Sequence, residues 1–484
     1  MRNTKLFSTV FISGFVVMAF EIIGSRVLAP FLGTSTYVWV SIIGIILLAM
    51  SVGYYLGGRW ADKSPTLKRL SYFLFGAALG IAITNILKNK ALAILGSLAF
   101  PLIVKSSLAS VALFSFPAFC LAAIFPYALK LILNNIEDAG KLSGRIYAIS
   151  TIGSLLGTFL SATILIPLLG TDMILWILSA ILLVLGFIVG SFYNWKQGVL
   201  MIPILIGNLW FISRDKTIID LDSEYNRIWI YDGIAQGKPT RYLALNGHVN
   251  SGMWVNDPIA GQLYPYSDYF RLAMHLNPDF QDVLMLGAGA YTFPKLFQSI
   301  WPERRLDIVE IDPVLTKVSE THFAWEASTN THIVHMDARS YLNQCKKTYD
   351  IIISDVFTSP LEVPFQLTTF ETYKRHQALL NKDGVLILNV LGNADGQYSR
   401  FLKSQYAVAK LVFPHVKLFE VYDEYDLPIK NNMLIAMNSE FDPNFQSNDS
   451  TIQHMLSQLK EVTIDESTPI LTDNYAPANW LLWD

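Results

Sequence analysis

Long apolar runs fill the first 213 residues of this 484-residue chain and limit what that part can fold into. A helix needs about 20 consecutive apolar residues to cross the hydrocarbon of a bilayer, because every backbone amide must be satisfied within the segment. We therefore expect a polytopic α-helical membrane domain over residues 1–213. Two shorter apolar runs, 91–104 and 198–213, leave its helix number at six to eight. The long runs cover 7–29, 37–58, 70–87, 107–133, 147–170 and 173–192.

Charge divides the chain at the same place. Residues 1–213 contain 14 Lys/Arg and 5 Asp/Glu, a net charge of +9, whereas residues 214–484 contain 22 and 34, a net charge of −12. This split excludes a soluble single-domain protein, a disordered chain and a protein that coats nucleic acid. We expect a lipid bilayer around the first part and no nucleic-acid partner.

Basic residues in short loops predict the orientation, because Lys and Arg concentrate on the cytoplasmic side. They lie at the N-terminus, in 59–69 and in 130–145, whereas the connections 30–39 and 168–172 carry none. Six spans place the basic loops and the second half of the chain inside. One of the two short runs counted alone as a span would export the second half. We expect a multi-pass protein of the cell (inner) membrane with an even number of spans and a cytoplasmic C-terminal domain. The reason for this choice is that the nucleoside inferred below is cytosolic.

The membrane part resembles half of a major facilitator-type transporter. The stretch 57–69 resembles the loop between the second and third helices of that family, and the small residues of 144–170 resemble its fifth helix. Close helix packing explains small residues equally well. Glu21 and Arg26 lie within or at the edge of the first span, and they are either functional or a structural polar pair.

The second half alternates between strand-like and helix-like segments. A β-rich entry segment over 214–280 is expected, because 217–233 and 241–254 alternate apolar and polar residues. Over 281–484 the alternation predicts a parallel sheet with helices on both faces, a Rossmann-like α/β domain. One predicted helix spans 370–384 and closes on Gly384. In such a sheet, ligands bind beyond the carboxyl ends of the strands.

Polar residues follow four of the predicted strands. Glycines after a strand let backbone approach a ligand, and a carboxylate at the next strand end can accept both ribose hydroxyls of a nucleoside. A third carboxylate is placed to accept an adenine amino group, and a fourth points into the cleft. These residues are Gly287 and Gly289, then Glu310 and Asp312, then Asp337, and last Asp355.

The same residues indicate which ligand classes to exclude. There is no phosphate-binding lysine motif, so an adenosine without a phosphate chain fits better than NAD or ATP. No His/Cys cluster has metal-ligand spacing, and no metal is expected. Cys120 and Cys345 lie on opposite sides of the chain's division, which argues against a disulfide.

Residues from about 217 to 480 resemble spermidine synthase, the polyamine aminopropyltransferase family. The resemblance implies a fold like that of class I S-adenosylmethionine-dependent methyltransferases. With its apolar first half, the whole chain resembles the membrane-fused spermidine synthase-like proteins. The matching strings include LNGHVNS, YFRLAMHLNP, VLMLGAGA, DIVEIDPVL, HMDARSYL, YDIIISDVFTSP and LTDNYAPANWL.

The resemblance implies decarboxylated S-adenosylmethionine as co-substrate and a polyamine such as putrescine as acceptor. Glu310 would hold the ribose and Asp337 would lie near the adenine. Asp355 would hold the acceptor ammonium and accept its proton, or steer it to water. Further donor-site candidates are Gly287, Gly289, Asp312, Ala338 and Asn250. Candidates for contact with the acceptor are Tyr264, Tyr266, Tyr269 and Tyr475.

The chain departs from the family at three positions. Ala290 stands where the family usually has the Asp that holds the aminopropyl amine, Thr358 replaces a second Asp, and Asn250 replaces a glutamine. Each missing charge pair is worth about 1–3 kcal/mol, so the amine would bind more weakly. The tyrosines could supply cation–π or hydroxyl contacts instead. A turn capped by Asp473 explains Tyr475 equally well.

Three functions stay open at this point. The first is a membrane-bound aminopropyltransferase of polyamine biosynthesis. The second is a methyltransferase that uses intact S-adenosylmethionine, which the loss of an Asp at Ala290 favours somewhat. The third is a transporter-like protein with a non-catalytic nucleoside-sensing domain. A homodimer is compatible with all three.

Overall fold

The computed structural model describes residues 2–190 without 34, 99 and 134, the single positions 199, 202, 206 and 207, and residues 218–483 without 260–262, 358–362, 422–427 and 440–444. It divides into two compact units, Met1–Ile228 and Trp229–Asp484, and each is described by itself. The domain boundaries predicted after residues 213 and 280 stay predictions.

The first unit contains one helical segment for each long apolar run. Five stretches are long and apolar enough to cross a membrane, and the fifth, Ile136–Val189, is broken at Gly170, where φ is 72° and ψ is 161°. The shorter run 91–104 is not a span of its own, because it is shared between the end of one helix and the start of the next. Most of the run 198–213 lies outside the described residues. The helices are α1 (Arg2–Leu32), α2 (Thr36–Lys63), α3 (Leu67–Gly96), α4 (Leu102–Ile132), α5 (Ala139–Leu160, continued by a π-helical turn, Ser161–Leu165) and α6 (Ile166–Val189).

Small residues allow α1 and α5 to approach closely. A Cβ added to Gly153 or Gly157 would lie closer than 3.0 Å to the backbone oxygens of Phe11 and Phe15, respectively. On the facing helix, Gly14 meets the backbone of Ser150 in the same way. Such contacts are typical of helix packing in membranes, and they account for the small residues of α5 without a transport role.

A small sheet has the strand order β1-β2-β3-β4, and the division between the units falls inside β2. In the second unit, β3 and β4 form an antiparallel hairpin with a register shift between Leu243 and Ala244. This sheet provides the β-rich segment expected from the sequence. Its strands are β1 (Ile219–Asp222), β2 (Arg227–Ala235), β3 (Lys238–Leu245) and β4 (His248–Trp254).

The second unit is built around an eight-stranded sheet with the order β12-β10-β11-β9-β8-β5-β6-β7. Strands β5 to β9 pair in parallel, as the alternating pattern predicted, but β11 pairs antiparallel with β9 and β10, and β12 antiparallel with β10. The sheet is therefore mixed rather than wholly parallel. The strands are β5 (Asp282–Leu286), β6 (Arg305–Glu310), β7 (Thr331–His335), β8 (Tyr349–Ser354), β9 (Leu380–Gly392), β10 (His415–Glu420), β11 (Lys430–Met437) and β12 (Leu459–Lys460).

Helices cover both faces of this sheet, and alternate strand residues pack into two separate cores. Leu284 and Leu286 of β5 belong to one core, whereas Val283 and Met285 belong to the other. Strands buried on both faces are near-continuous apolar runs, as β5 and β8 are. The helices are α7 (Arg271–Leu276), α8 (Thr292–Ile300), α9 (Pro313–His322), α10 (Ala338–Gln344), α11 (Phe370–Leu379), α12 (Arg400–Val412), α13 (Ser450–Leu456) and α14 (Ala478–Trp483).

The predicted helix over 370–384 is shorter than expected. Helix α11 ends at Leu379, and Leu380 already pairs with Tyr349 of β8. Residues up to Gly384 therefore belong to β9. Tertiary pairing with β8 overrides the helix-forming pattern of this segment.

Candidate active site

Strand order reverses at β5, which lies between β6 and β8. Leu286, the last residue of β5, is in register with Val309 of β6 and Ser354 of β8. The carboxyl ends of these three parallel strands therefore meet at one edge, where a ligand crevice forms in such sheets. Three of the four polar strand ends expected from the sequence lie there side by side.

The first of them is the glycine turn after β5. Gly287 has a φ of +80°, and its amide donates to the carbonyl of Val309 at 2.9 Å. A Cβ at this position would lie closer than 3.0 Å to the carbonyl oxygen of Asp355. Gly289 has a φ of +53°, and a Cβ there would lie 2.9 Å from Ser251 Oγ. Backbone conformation and space both require glycine at 287, and the positive φ favours glycine at 289.

Glu310 ends β6 and is 4% exposed. Its Oε2 accepts the amide of Ala288 and its Oε1 accepts the amide of Asp312, each at 3.0 Å. Burial raises the pKa of Glu310 to about 7, and these amide hydrogen bonds oppose that rise. A carboxylate offers about four lone-pair sites, so accepting capacity remains for a ribose hydroxyl after the backbone amides are bound.

Asp312 and Asp337 both cap helices. Asp312 is fully buried, and its Oδ1 accepts the amide of Val314 at the start of α9. Asp337 Oδ1 accepts the amide of Ser340 at 2.8 Å and caps α10, whose first residue is the buried Ala338. Helix capping is therefore a sufficient structural reason for a carboxylate at each of these two positions. The predicted donor contacts of Asp312, Asp337 and Ala338 stay predictions.

Asp355 follows β8 and is held by two neutral donors. Asn389 Nδ2 donates to its Oδ1 at 3.1 Å, and the Tyr266 hydroxyl donates to its Oδ2 at 3.2 Å. Desolvation raises the pKa of Asp355 to about 6, although part of its surface is accessible, and both hydrogen bonds oppose the rise. At neutral pH the group is ionised and able to take up a proton, which suits a general base.

Sequence reasoning missed Asn389. It lies in β9 and is 4% exposed, and within the described part of the chain its Oδ1 has no hydrogen-bond partner. A polar residue in the otherwise apolar stretch VLILNVLG was the available signal. A buried carbonyl oxygen beside a carboxylate can accept from an ammonium.

The predicted tyrosines are placed differently from one another. Tyr266 contacts Asp355 directly, and the half-buried Tyr264 precedes the same 3₁₀ turn, Pro265–Phe270. Tyr269 is a core residue whose hydroxyl donates to the backbone of Glu420 at 3.4 Å. That geometry favours a packing role for Tyr269.

Tyr475 is 57% exposed and closes a tight turn with Thr472. In that turn, Asp473 forms an ion pair of 2.6 Å with Arg339 and accepts a hydrogen bond from Thr369. The structure contains this turn, although the Asp473 carboxylate binds outside it, and the predicted acceptor contact of Tyr475 stays a prediction.

The structure describes two of the three positions at which the chain departs from the family's pattern, Ala290 and Asn250. Ala290 is fully buried, and its amide donates to Ser251 Oγ at 3.3 Å. Asn250 Oδ1 accepts the amide of Leu245 within its own hairpin. Thr358 lies outside the described residues.

No group of three or more His, Cys, Asp or Glu residues suited to a metal ion occurs among the residues that the structure describes. Cys120 and Cys345 are both free thiols. Carboxylates, a tyrosine hydroxyl, a side-chain amide and backbone amides lie at the edge of the sheet.

Residues 271–421 match the spermine/spermidine synthase domain family. A polyamine aminopropyltransferase from Vibrio vulnificus is 28% identical over 244 residues, which cover 46% of this chain and 78% of that protein. An N-terminal histidine N-methyltransferase from Emericella nidulans is 34% identical over 143 residues, 28% of this chain and 24% of that protein. A solved probable spermidine synthase from Corynebacterium glutamicum has 21% sequence identity and a TM-score of 0.44, and the match covers 54% of this chain and 97% of that one.

These matches confirm two predictions. The resemblance to spermidine synthase holds for the C-terminal part of the chain, and the predicted enzyme class, a transferase, is supported. The family match begins at residue 271 and does not extend to the first unit.

Proposed function

We propose that this chain is a membrane-anchored aminopropyltransferase, which transfers the aminopropyl group of decarboxylated S-adenosylmethionine to an amine such as putrescine. The family match over 271–421 supports aminopropyl transfer in general. The observation that carries the proposal is the placement of Glu310 and Asp355 on either side of the Gly287 turn, each at the end of a strand next to β5.

The donor nucleoside would bind along this edge. Glu310 accepts hydrogen bonds from the ribose hydroxyls with its free lone pairs. Because Gly287 and Gly289 have no side chains, the rest of the nucleoside can approach the backbone of 287–289 closely. Asp337, at the start of α10, is the candidate partner of the adenine amino group. The buried carboxylates of Glu310 and Asp355 favour a donor that carries a positive sulfonium.

The reaction needs a neutral amine next to that sulfonium. The acceptor arrives as an ammonium, is held by Asp355 and loses a proton to this carboxylate or through it to water. The amine nitrogen then forms a bond to the methylene carbon on sulfur. The carbon–sulfur bond breaks, its electron pair stays on sulfur, and methylthioadenosine leaves. Alignment of the two reactants supplies most of the rate.

Few side chains are available to bind the acceptor amine. Asp355 provides the negative charge, and Asn389 Oδ1 and the Tyr266 hydroxyl provide polar contacts beside it. With Ala290 in place of the family's Asp, the aminopropyl amine loses one ion pair. That amine belongs to the donor, so we expect weaker binding of decarboxylated S-adenosylmethionine, with its KM raised by one to two orders of magnitude for the loss of an ion pair of about 1.4–2.8 kcal/mol.

The first unit would anchor the enzyme in the membrane. Its five apolar stretches, and the close packing of α1 against α5, support a helix bundle that is surrounded by lipid. The bundle needs no transport activity to serve this purpose.

A methyltransferase is the second candidate. Ala290 removes the carboxylate that distinguishes an aminopropyl donor, and one relative with 34% identity over its matched part is an N-methyltransferase. The same Glu310 and Asp355 would then serve intact S-adenosylmethionine and an amine acceptor.

Mass spectrometry of products distinguishes the candidates. Purified full-length protein is given either nucleoside together with mixed polyamines. An aminopropylated amine with methylthioadenosine supports the proposal, whereas a methylated amine from the intact nucleoside supports the second candidate. Nucleoside binding without any product over a broad amine panel would leave a transporter-like protein with a sensing domain. The Asp355→Asn variant is the control for background turnover.

A further inference from the structure

The helices of the first unit alternate in direction, which defines two ends of the bundle. Helices α2 and α4 run parallel, because Ser41 bonds Ser106 at 2.8 Å and, further along both helices, Gly57 packs on Ala123. Helices α1 and α5 also run parallel, as the contacts of Gly153 and Gly157 show.

Helices α3 and α6 run in opposite directions. Ser179 donates to the carbonyl of Ala78 at 2.7 Å, and Asn85 donates to the carbonyl of Asp172 at 3.1 Å. The connections 64–66 and 133–138 therefore lie at one end of the bundle, together with the N-terminus. The connections 33–35 and 97–101 lie at the other end, together with the break at Gly170.

We call these ends the basic face and the bare face. Lys and Arg cluster on the basic face, which is the property that marks the cytoplasmic side of a membrane protein. On the bare face, the connections 33–35 and 97–101 contain no Lys or Arg, and the adjoining helix ends contain four, Arg26, Lys88, Lys90 and Lys105. The residues of the basic face are Arg2, Lys5, Arg59, Lys63, Lys68, Arg69, Lys130, Lys141 and Arg145.

The segment 219–228, which is part of the first unit, lies at the bare face. The Arg227 guanidinium donates to both oxygens of Asp220, at 3.0 and 2.7 Å, and lies 3.6 Å from Asp172 of α6. Lys88 of α3, whose side chain is 1% exposed, donates to the same Asp172. One carboxylate of the bundle thus joins a buried lysine of α3 to a buried arginine of the segment.

Two more contacts fix this segment to the same face. Asp222 Oδ2 accepts the amide of Thr171 at 2.8 Å, directly after the break at Gly170. Arg26, near the end of α1, donates to the backbone carbonyl of Glu224. The segment is therefore attached directly to the ends of α1 and α6, and Asp172 of α6 links it to Lys88 of α3.

The attachment is electrostatic and largely buried. Desolvation alone would lower the pKa of Arg227, but the carboxylates of Asp220 and Asp172 outweigh it and the pKa is raised, so the group stays charged. A buried charge without its partner is strongly unfavourable. Detachment of the segment would separate Arg227 from Asp172 and leave each of these charges with one ion-pair partner, Asp220 and Lys88 respectively.

We infer that the chain passes from the first unit into residues 229–484 on the bare face, outside the cytoplasm. Helix α6 ends at Val189 on the basic face, whereas Ile219 lies at the bare face, so this inference requires one more membrane crossing between these two residues. The apolar run 198–213 is the part of that sequence suited to the crossing. The count of spans is then odd, in contrast to the even count and the cytoplasmic domain expected from the sequence.

This inference goes beyond the proposed function and is argued from contacts within the first unit alone. Purified protein would show the same transfer chemistry on either side of a membrane. In a cell, an enzyme outside the cytoplasm would use nucleoside and amine that reach that side. A failed product assay and a failed topology experiment can thus be told apart.

Cysteine labelling of the full chain in intact bacterial cells tests the placement. In a background with Cys120→Ala and Cys345→Ala, single cysteines are introduced at exposed positions by Glu303→Cys in the second unit, Ser97→Cys on the bare face and Pro65→Cys on the basic face. With a membrane-impermeant maleimide, we expect Glu303→Cys and Ser97→Cys to label at least tenfold more than Pro65→Cys, and all three to label equally after lysis.

Labelling of Glu303→Cys only after lysis would overturn the inference, as would labelling of Pro65→Cys in intact cells. A second measurement uses the unmodified chain in case a variant fails to fold. Protease added outside spheroplasts should digest the second half and leave a membrane-protected N-terminal fragment. Full protection of the second half, with digestion after lysis, would contradict the placement.

Discussion

The phenolic hydroxyl of Tyr266 donates a hydrogen bond of 3.2 Å to Oδ2 of Asp355. Tyr266 lies before the large sheet in the chain, and Asp355 lies at the end of its fourth strand. Desolvation raises the pKa of Asp355 to about 6, and the donors Tyr266 and Asn389 limit the rise. The charge that would meet an acceptor amine is therefore controlled by residues distant in sequence.

This relationship predicts a pH profile. Asp355 must be ionised to hold an ammonium, so kcat/KM for the amine should rise as pH increases through about 6 and level off above it. The Tyr266→Phe variant removes one donor to the carboxylate, which raises the pKa of Asp355 and shifts the rise to higher pH. Tyr242→Phe, which removes a hydroxyl bonded to the Ile234 carbonyl, is the matched control. If kcat/KM of Tyr266→Phe rises at the same pH as that of the wild type, the result would contradict the role of Asp355.

Asp355→Asn should separate binding from turnover. The amide keeps the shape of the side chain, so methylthioadenosine affinity should stay within about twofold. Loss of the base should lower kcat by about 10²–10⁴-fold. Calorimetry and product analysis measure the two effects, and Asp279→Asn, at an exposed position, is the control. Normal turnover in Asp355→Asn would exclude the proposed mechanism.

Glu310→Gln should weaken nucleoside binding about 10–100-fold, because a hydrogen bond to a charged acceptor is worth about 1.5–3 kcal/mol. Glu310→Ala should abolish it. Burial places the pKa of Glu310 at about 7, so wild-type affinity should fall as pH decreases below 7, and the Gln variant should not show this dependence. Titration calorimetry with methylthioadenosine checks both effects, with the exposed Glu303→Gln as control. Equal affinity of wild type and Glu310→Gln would place the ribose elsewhere.

Gly287→Ala tests the close approach of the glycine turn to Asp355. Its φ of +80° costs alanine about 1 kcal/mol, and the Cβ also collides with the Asp355 carbonyl, so the total loss should exceed about 3 kcal/mol. Gly396→Ala has a similar φ of +73° but no atom within 4 Å of the Cβ, and it isolates the backbone cost. Denaturant unfolding of the purified variants compares the two. Equal losses would show that the turn can move away from Asp355.

Gly153→Ala tests the packing of α1 against α5 in the first unit. The added Cβ would collide with the backbone of Phe11, whereas Gly144 in the same helix has no atom within 4 Å of its Cβ. Gly153→Ala should lower the thermal stability of the detergent-solubilised protein by several degrees, and Gly144→Ala should leave it unchanged. Two variants of equal stability would argue against this helix contact.

The local pattern of the sequence was sufficient to predict many of the helices and strands of this protein. Apolar runs of membrane-spanning length predicted α1 to α6, since burial of backbone in hydrocarbon depends on the segment itself. Strand-ending residues predicted that 287–289, Glu310 and Asp355 meet at one edge, because parallel strands bring their carboxyl ends together. Alternating segments predicted the α/β class of the second half.

Only the tertiary structure decided the relationships between distant residues. Periodicity within a segment does not encode which strand becomes its neighbour, so β9 begins at Leu380 and β11 is antiparallel because of pairing with other strands. The donors that hold Asp355, Tyr266 and Asn389, come from separate parts of the chain. Lys88 and Arg227 share Asp172 only because folding brings all three charges to one end of the bundle, where the buried Lys88 and Arg227 each require a partner.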